Sequence, residues 1–214
     1  MAQEGRYPLT EHLEIEQKFD VEAGFALPDF RAVPGCATVR GPVTHHLTAT
    51  YFDTPDYRLA ASKITLRRRT GGTDEGWHLK LPADAGARRE IHAPLAAGQA
   101  RVPGELAAQV AGVTGGLPLA PIAVLHTERT LLTLLSSSSR VLAEIADDAV
   151  TASREAAPGD PAPGPVPEPL RWREVEVEVP QPALEVQEAA ATLLLAAGAR
   201  PASKASKLAR LLAS

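Results

Sequence analysis

Polar and apolar residues alternate along residues 12–21, which have the sequence HLEIEQKFDV. Successive side chains of a β-strand point to opposite faces of its sheet, so this alternation predicts a strand with one apolar face. The other face would carry Glu14, Glu16 and Lys18 side by side. Such a face either meets water, as in many half-exposed antiparallel strands, or lines a charged cavity.

Seven further segments have the alternation or the composition of strands. The tetraserine at 136–139 predicts a hairpin turn between two of them, and TGGTDEG at 70–76 predicts another. Eight strands with few helices are typical of an antiparallel α+β domain, and eight strands are enough to close a barrel. The predicted strands are 11–21, 43–53, 63–70, 76–82, 88–94, 123–135, 140–151 and 171–179.

Helical patterns are fewer and lie mainly near the end of the sequence. The run ALEVQEAAATLLLAAGA begins after Pro182 and ends near Gly198, and both residue types commonly border helices. Residues 203–213 also carry leucines at helical spacing. Shorter helices are predicted at 28–34, 56–61 and 104–112.

Residues 153–169 are rich in proline, glycine and alanine. Such a composition packs poorly, so we predict a mobile loop between two strands. The sequence contains no internal repeat. We therefore expect one domain over residues 1–214.

The composition is that of a soluble globular protein, with 44% hydrophobic and 22% charged residues in a chain of 214. A formal net charge of −4 does not favour a duplex nucleic acid partner, which a basic surface would. Cys36 is the only cysteine, so it forms no internal disulfide, and we interpret it as structural. The N-terminal segment has no apolar signal core, and the longest apolar run, LLLAAGA, is too short to span a membrane, which predicts a cytoplasmic protein.

The predicted strand at 171–179 repeats the charged alternation of the first strand. Within it, Glu174, Glu176 and Glu178 share one face and three valines share the other. A solvated face would explain either strand alone. Carboxylates grouped so closely repel one another unless cations neutralise them, and carboxylate oxygens are the ligands that Mg²⁺ and Mn²⁺ prefer.

Two other predicted strands group bases instead of acids. In TLRRR, Arg67 and Arg69 lie on one face and Arg68 on the other, and in WHLKL His78 and Lys80 alternate with apolar residues. Guanidinium and ammonium groups bind phosphate oxygens well. Acidic and basic strands that face one interior would form a metal–polyphosphate site.

Other site chemistries have weaker signals. His45 and His46 are adjacent, so a strand would point them to opposite faces, and we interpret them as structural. The sequence contains no zinc-ligand spacing, no glycine-rich phosphate loop with its lysine, and no G-x-S-x-G motif.

A set of motifs occurs in the order found in the CYTH domain, the fold of the triphosphate tunnel metalloenzymes. LEIEQKF resembles the E-x-E-x-K signature that opens this domain, and YFDTPDYRLAASKITLRRRTGG resembles its Y-F-D-T and L-R-x-R segment. GWHLKLP and RREI resemble the two elements that follow. ERTLL, LAEIADDAV, WREVEVEVP and SKASKLARLL resemble the later arginine, the acidic strands and the closing lysine helix.

The resemblance implies a closed eight-stranded antiparallel β-barrel that forms a tunnel, with flanking helices. Members of the family hydrolyse inorganic triphosphate, thiamine triphosphate or RNA 5′-triphosphate ends, and a few cyclise ATP. The leading expectation is therefore divalent-metal-dependent hydrolysis of inorganic triphosphate, with Mg²⁺ or Mn²⁺ as cofactor. Adenylate cyclase activity and non-catalytic binding of polyphosphate or nucleotide are the alternatives.

The matching motifs also imply roles for the charged residues. The implied catalytic residues are Glu174, Glu176 and Lys18. The implied phosphate-binding residues are Lys18, Arg67, Arg69, Lys80, Arg129 and Lys207. The implied metal ligands are Glu14, Glu16, Glu90, Asp147, Glu174 and Glu176, with Glu178 as a further inward-facing acid.

Two of these assignments have competitors. Glu144 and Asp148 compete with Asp147, because the register of that strand is not fixed by the sequence. Lys204 competes with Lys207, which we favour because SKL followed by apolar residues matches the family better.

The motifs are most similar to those of CYTH domains that precede a CHAD domain in bacterial two-domain proteins. No CHAD-like helical, His-rich segment follows in this sequence. We therefore expect either a free-standing CYTH protein, with a CHAD protein as its partner, or a fragment of a longer chain. The high alanine and arginine content fits a bacterial source. A membrane is not an expected partner.

Overall fold

The structure is a computed structural model that describes residues 8–83, 87–96, 100–155, 168–180 and 183–214. Nine strands lie within these residues. They are β1 (Thr10–Val21), β2 (Thr38–Asp53), β3 (Thr65–Thr70), β4 (Gly76–Pro82), β5 (Arg88–Ala93), β6 (Ala120–Leu135), β7 (Val141–Arg154), β8 (Leu170–Val179) and the short β9 (Arg200–Pro201).

The strands form one sheet in the order β5-β4-β3-β2-β6-β7-β8-β1-β9, and β5 also pairs with β1. This additional pairing closes the eight long strands into an antiparallel barrel, which confirms the predicted fold class. One boundary differs clearly, because β2 begins at Thr38 rather than at residue 43. Gly41 and Pro42 interrupt the pattern there, and neither residue type is favoured within a strand.

Four helices lie in the described part of the chain: α1 (Arg58–Ala61), α2 (Gly104–Thr114), α3 (Leu184–Ala196) and α4 (Lys207–Leu212), with a 3-10 turn at Phe30–Ala32. The helix predicted at 203–213 is shorter than expected. It begins after Ser206, whose hydroxyl accepts a hydrogen bond from the backbone N–H of Ala209 at 3.1 Å. Such a cap fixes the start of a helix.

The predicted loop at 153–169 is tested only at its ends. β7 continues to Arg154 and β8 begins at Leu170. Residues 156–167 lie outside the described residues, so the mobility of this loop stays a prediction.

Close contacts divide the chain into two compact units, which share several of the long strands. Of the described residues, those within Met1–Leu13, Thr48–Leu125 and Ser153–Glu168 form the first unit, and those within Glu14–Leu47, His126–Ala152 and Pro169–Ser214 form the second.

In the second unit, the apolar faces of the strands pack beneath α3. Phe19 lies opposite Val175 in the β1–β8 register, and both are buried with Leu194 of α3. The neighbouring pair, Lys18 and Glu176, must then point to the other side of the sheet. Burial of the apolar residues thus sets the face on which the charged residues lie.

The first unit has its own apolar core. Leu66 and Leu79 lie opposite each other on β3 and β4, and Trp77 packs against Phe52 with 5.1 Å between ring centroids. The helices α1 and α2 contribute further buried residues to this core. Here too Leu66, Trp77 and Leu79 lie on one face of the strands, and Arg67 and Lys80 lie on the other.

Replacing Leu194 tests the packing of α3. Leu194 is 0% exposed, so Leu194→Ala is expected to lower the free energy of unfolding by about 2–5 kcal/mol. Leu195, the next residue, is 45% exposed, and Leu195→Ala should lower it by less than ~1 kcal/mol. Urea unfolding followed by circular dichroism measures both values. Equal losses would contradict the orientation of α3.

Candidate functional site

One face of β1, β7 and β8 in the second unit carries a continuous set of charged residues. Lys18 lies opposite Glu176, and Glu174 lies opposite both Asp20 and Asp148. In an antiparallel sheet, directly opposite residues point to the same side and come close together. The register therefore brings acids and bases of three strands onto one surface.

Three buried carboxylates form the centre of this surface. Asp148, Glu174 and Glu176 each offer an oxygen within 4.8 Å of the others. The ammonium Nζ of Lys207, the first residue of α4, lies 2.8 Å from Asp148 Oδ2, 2.8 Å from Glu174 Oε1 and 2.7 Å from Glu176 Oε1. The Lys207 ammonium, at the start of α4, thus lies between the three carboxylates.

Two further bases complete the group. The Arg129 guanidinium donates to both oxygens of Asp148, at 2.8 and 2.6 Å, and to Glu176 Oε2 at 2.8 Å. The Lys18 ammonium donates to Glu176 Oε1 and, at 2.8 Å, to Glu16 Oε2. We call the three central carboxylates together with Lys18, Arg129 and Lys207 the buried charge cluster.

Asp148, Glu176 and Lys207 hold one another in the ionised form. Burial by itself raises the pKa of Glu176, but Lys18, Lys207 and Arg129 outweigh it and hold that pKa well below 4.5. Lys207 and Arg129 likewise lower the pKa of Asp148 from 3.8 against the effect of burial. In return, although burial lowers it, the carboxylates raise the pKa of Lys207 well above 10.5. Asp148, Glu176 and Lys207 are therefore charged at neutral pH.

Two residues that the sequence analysis did not select support this cluster. The indole N–H of Trp172 donates to Glu174 Oε2 at 2.6 Å. The Arg210 guanidinium lies 5.2 Å from the centre of the Trp172 ring and pairs with Asp20. Arg210 follows Lys207 by three residues, and residues at this spacing lie on one side of a helix. This spacing was the signal in the sequence that could have identified Arg210.

The structure corrects the assignment of Asp147. Asp147 lies on the opposite face of β7, where the Arg173 guanidinium donates to its two oxygens at 2.8 and 2.6 Å. Asp148 lies in the cluster instead, and Glu144 shares its face, opposite Glu178. Two consecutive aspartates always point to opposite faces of a strand, so only the register decides between them.

The two lysines that compete for one role differ in burial. Lys204 is exposed, whereas Lys207 is buried in the cluster. Glu14 and Glu16 lie on the same face of β1 as Lys18, and Glu14 is buried. They are not members of the group of three carboxylates.

A second charged group lies in the first unit, on β3, β4 and β5. Arg67 lies opposite His78, and Lys80 lies opposite both Thr65 and Glu90. Lys80 Nζ is 3.8 Å from Glu90 Oε2. We call Arg67, Arg69, Lys80 and Glu90, together with His78, the basic strand cluster.

Neighbouring residues hold the two arginines of this cluster in place. Arg67 Nη1 donates to the hydroxyl of Tyr51 at 3.3 Å, and Arg69 pairs with Asp74 in the β3–β4 turn. Arg68 lies opposite Trp77, on the other face of β3. The predicted alternation of the three arginines is confirmed.

His78 is a member of this cluster that the sequence analysis placed beside Lys80 but did not select. Its Nδ1 lies 2.7 Å from Glu90 Oε1. Burial, together with the charges of Arg67 and Arg69, lowers the pKa of His78 to about 3 although the hydrogen bond to Glu90 opposes the shift. His78 is therefore neutral at pH 7. Its Nε2 lies 3.0 Å from the backbone oxygen of Asp74, so the single N–H of the neutral ring is donated either to Glu90 or to Asp74.

The structure is a closed barrel whose strands carry two clusters of acidic and basic side chains. Comparison with known proteins identifies its family. The CYTH domain profile matches residues 12–212, so the chain belongs to the CYTH family. This family includes triphosphatases and adenylate cyclases.

Two curated relatives come from strains of Mycobacterium tuberculosis, and both are uncharacterized proteins. Each is 41% identical over 206 residues, which is 94% of this chain. The chain spans 40% of the length of these relatives.

Solved structures support the fold. A candidate adenylate cyclase from Bacillus halodurans has a TM-score of 0.55 at 17% identity, with 94% of this chain and 97% of the other covered. A candidate adenylyl cyclase from Hippeastrum, described with a dominant triphosphatase activity, has a TM-score of 0.52 at 15% identity, with 94% and 95% covered. At this identity the likeness extends to the fold alone.

The donor set of the buried charge cluster suits a divalent cation. Asp148, Glu174 and Glu176 offer hard oxygen ligands at close range, as Mg²⁺ and Mn²⁺ require.

Within the described residues, no helix is long and apolar enough to cross a membrane.

Acid unfolding tests the ionised state of the cluster. Folding lowers the pKa of Asp148 and Glu176 from 3.8 and 4.5, so their stabilisation is complete above those values and is lost as pH falls below them. Asp148→Asn should reduce the slope of unfolding free energy between pH 5 and 3 by up to about 1.4 kcal/mol per pH unit. Urea unfolding at several pH values measures the slope.

The control for this test is Glu188→Gln, which removes an exposed carboxylate of α3 and leaves the cluster intact. It should keep the slope of the unaltered protein. An unchanged slope in Asp148→Asn would show that Asp148 is not held ionised by its neighbours.

Proposed function

We propose that the protein is a divalent-metal-dependent triphosphatase whose substrate is inorganic triphosphate. The observation that carries this proposal is the buried charge cluster, in which three strand carboxylates are in contact with two strand bases and with Lys207 of α4. Carboxylates of this kind hold cations, and the bases can bind the phosphate oxygens that such cations also contact. Family membership supports the same chemistry.

The bases would orient the substrate. Lys18, Arg129 and Lys207 present donors at one surface, and phosphates accept hydrogen bonds from both ammonium and guanidinium groups. The proposal assigns the same role to Arg67, Arg69 and Lys80 of the basic strand cluster. Phosphoryl transfer depends mainly on positioning and electrostatic stabilisation, so no covalent nucleophile is required.

The acids would hold the cation and position water. Asp148, Glu174 and Glu176 are the proposed ligands, and Asp148 replaces Asp147 in this role. Bound Mg²⁺ or Mn²⁺ would offset the charge that develops on the phosphate oxygens. The carboxylate of Glu174 or Glu176 would accept a hydrogen bond from the attacking water and so orient it. Lys18 would offset the charge of Glu176 and bind a phosphate oxygen. Glu14, Glu16 and Glu90 stay proposals as additional ligands.

A charge count explains why a cation would be needed. In the buried charge cluster, the carboxylates of Asp148, Glu174 and Glu176 equal in number the bases Lys18, Arg129 and Lys207. This group alone offers little net attraction to a polyanion. A divalent cation would shift the balance by two charges towards the substrate.

The partners of the protein are also a matter of proposal. The curated relatives are longer than this chain, and a CHAD-type module, as a separate protein or a further domain, is the partner that we propose. Copurification with a CHAD protein tests this association, and its failure would leave the triphosphatase proposal intact.

Phosphate release tests the proposed activity. We expect the EDTA-treated protein to be inactive on inorganic triphosphate and to regain activity with Mg²⁺ or Mn²⁺, with diphosphate cleaved more slowly. Diphosphate would leave charged bases without acceptors, at a cost of about 1–3 kcal/mol each. A malachite green assay over triphosphate, diphosphate, thiamine triphosphate and ATP makes the comparison.

Three outcomes would contradict the proposal. Full activity after EDTA treatment would refute the role of the cation. Formation of cyclic AMP from ATP without phosphate release from triphosphate would identify an adenylate cyclase. Tight binding of triphosphate without turnover would identify a binding module.

The adjacent arginines of β3 test the substrate role of the basic strand cluster. Arg67→Ala should remove a charged contact to phosphate worth about 1.5–3 kcal/mol, and so lower kcat/KM about ten- to a hundredfold. Arg68 lies on the other face of β3, so Arg68→Ala is its matched control and should be nearly neutral. Steady-state kinetics on triphosphate compares the two variants, and equal losses would refute the assignment.

A further inference from the structure

The position of the Lys207 ammonium conflicts with that of a cation. Nζ is 2.7–2.8 Å from one oxygen each of Asp148, Glu174 and Glu176. A magnesium ion held by the same oxygens would lie about 2.0–2.1 Å from them. A cation held by these same three oxygens would need the position that Nζ occupies, so the two could not be bound there together.

The Lys207 side chain can leave this position without movement of α4. Leu208 and Leu211 are buried, and Arg210 pairs with Asp20, so three residues of the short helix are anchored independently of Lys207. The lysine side chain itself has four rotatable bonds beyond its Cα. The Ser206 cap keeps the first turn of the helix in place meanwhile.

Release of Lys207 alone would be unfavourable. A buried ammonium that loses its carboxylates keeps the cost of its lost hydration unless new acceptors replace them. Polyphosphate oxygens are acceptors of that kind. Binding of the cation and binding of the substrate would therefore favour each other through this side chain.

We propose that Lys207 is an internal competitor of the divalent cation: its ammonium occupies the cation position among the three carboxylates and moves to phosphate oxygens when a cation binds. This inference rests on the proposed function, because it concerns the cation and substrate of the same site. It explains how Lys207 can contact the carboxylates in the absence of a cation and the substrate phosphates in its presence.

Direct titration with Mn²⁺ tests the competition without any turnover. Lys207→Met keeps the length of the side chain and removes its charge, so it should bind Mn²⁺ at least tenfold more tightly than the unaltered protein. Lys204→Met is the matched control, because Lys204 is exposed on the same segment, and its Mn²⁺ affinity should not change. Electron paramagnetic resonance counts free Mn²⁺ in each titration.

Two additional variants make the result specific. Adding Glu176→Gln to Lys207→Met should abolish the tighter site, which ties it to the carboxylates. Lys207→Gln keeps a hydrogen-bond donor for the carboxylates, so it provides the same titration if the methionine variant does not fold.

The outcomes separate the inference from the proposed function. Mn²⁺ affinity that is equal or lower in both Lys207 variants overturns the competition, even where triphosphate hydrolysis depends on Mn²⁺. Tighter Mn²⁺ binding in the variants supports the competition, whether or not the unaltered protein hydrolyses triphosphate. Cation-independent hydrolysis would contradict the proposed function alone.

Discussion

The pairing of Glu176 with Lys18, Arg129 and Lys207 is the interaction on which the candidate site depends. Moving each of these ions out of water costs several kcal/mol, and their mutual attraction recovers this only with good geometry. Apolar residues of similar volume would often be as stable, so stability alone does not account for so many buried charges. The arrangement fits a site whose charges exchange partners when a cation and a polyanion bind.

This arrangement follows from the alternation of side chains between the two faces of each strand. Phe19 and Val175 must be buried beneath α3, and strand alternation then points Lys18 and Glu176 to the other face. The same constraint places Arg67 among the bases of β3 and β4 while Leu66 enters the core of the first unit. A single choice of register therefore determines packing and charge together. A slip of one residue would exchange the two faces and destroy both.

Much of this could be predicted from the sequence, because alternation is visible in the residue order. All eight long strands and the separation of Arg67 from Arg68 followed from it. The choice between Asp147 and Asp148 did not, since adjacent identical residues give no register and only the pairing with β8 decides it. The contributions of Trp172 and His78 also required the structure, because a single aromatic residue or histidine in a strand has no periodic signal. The β-strand start at Thr38 was missed because glycine and proline interrupt β2.

The most direct test of the central claim is anomalous diffraction at the manganese edge, from crystals grown with Mn²⁺ and a non-hydrolysable triphosphate analogue. The account predicts a manganese peak at coordination distance from at least two of Asp148, Glu174 and Glu176. It also predicts phosphate oxygens within hydrogen-bond distance of Lys18 and Arg129, with the Lys207 ammonium displaced from the carboxylates. A manganese peak elsewhere, with Lys207 still among the three carboxylates and the analogue bound, would contradict it.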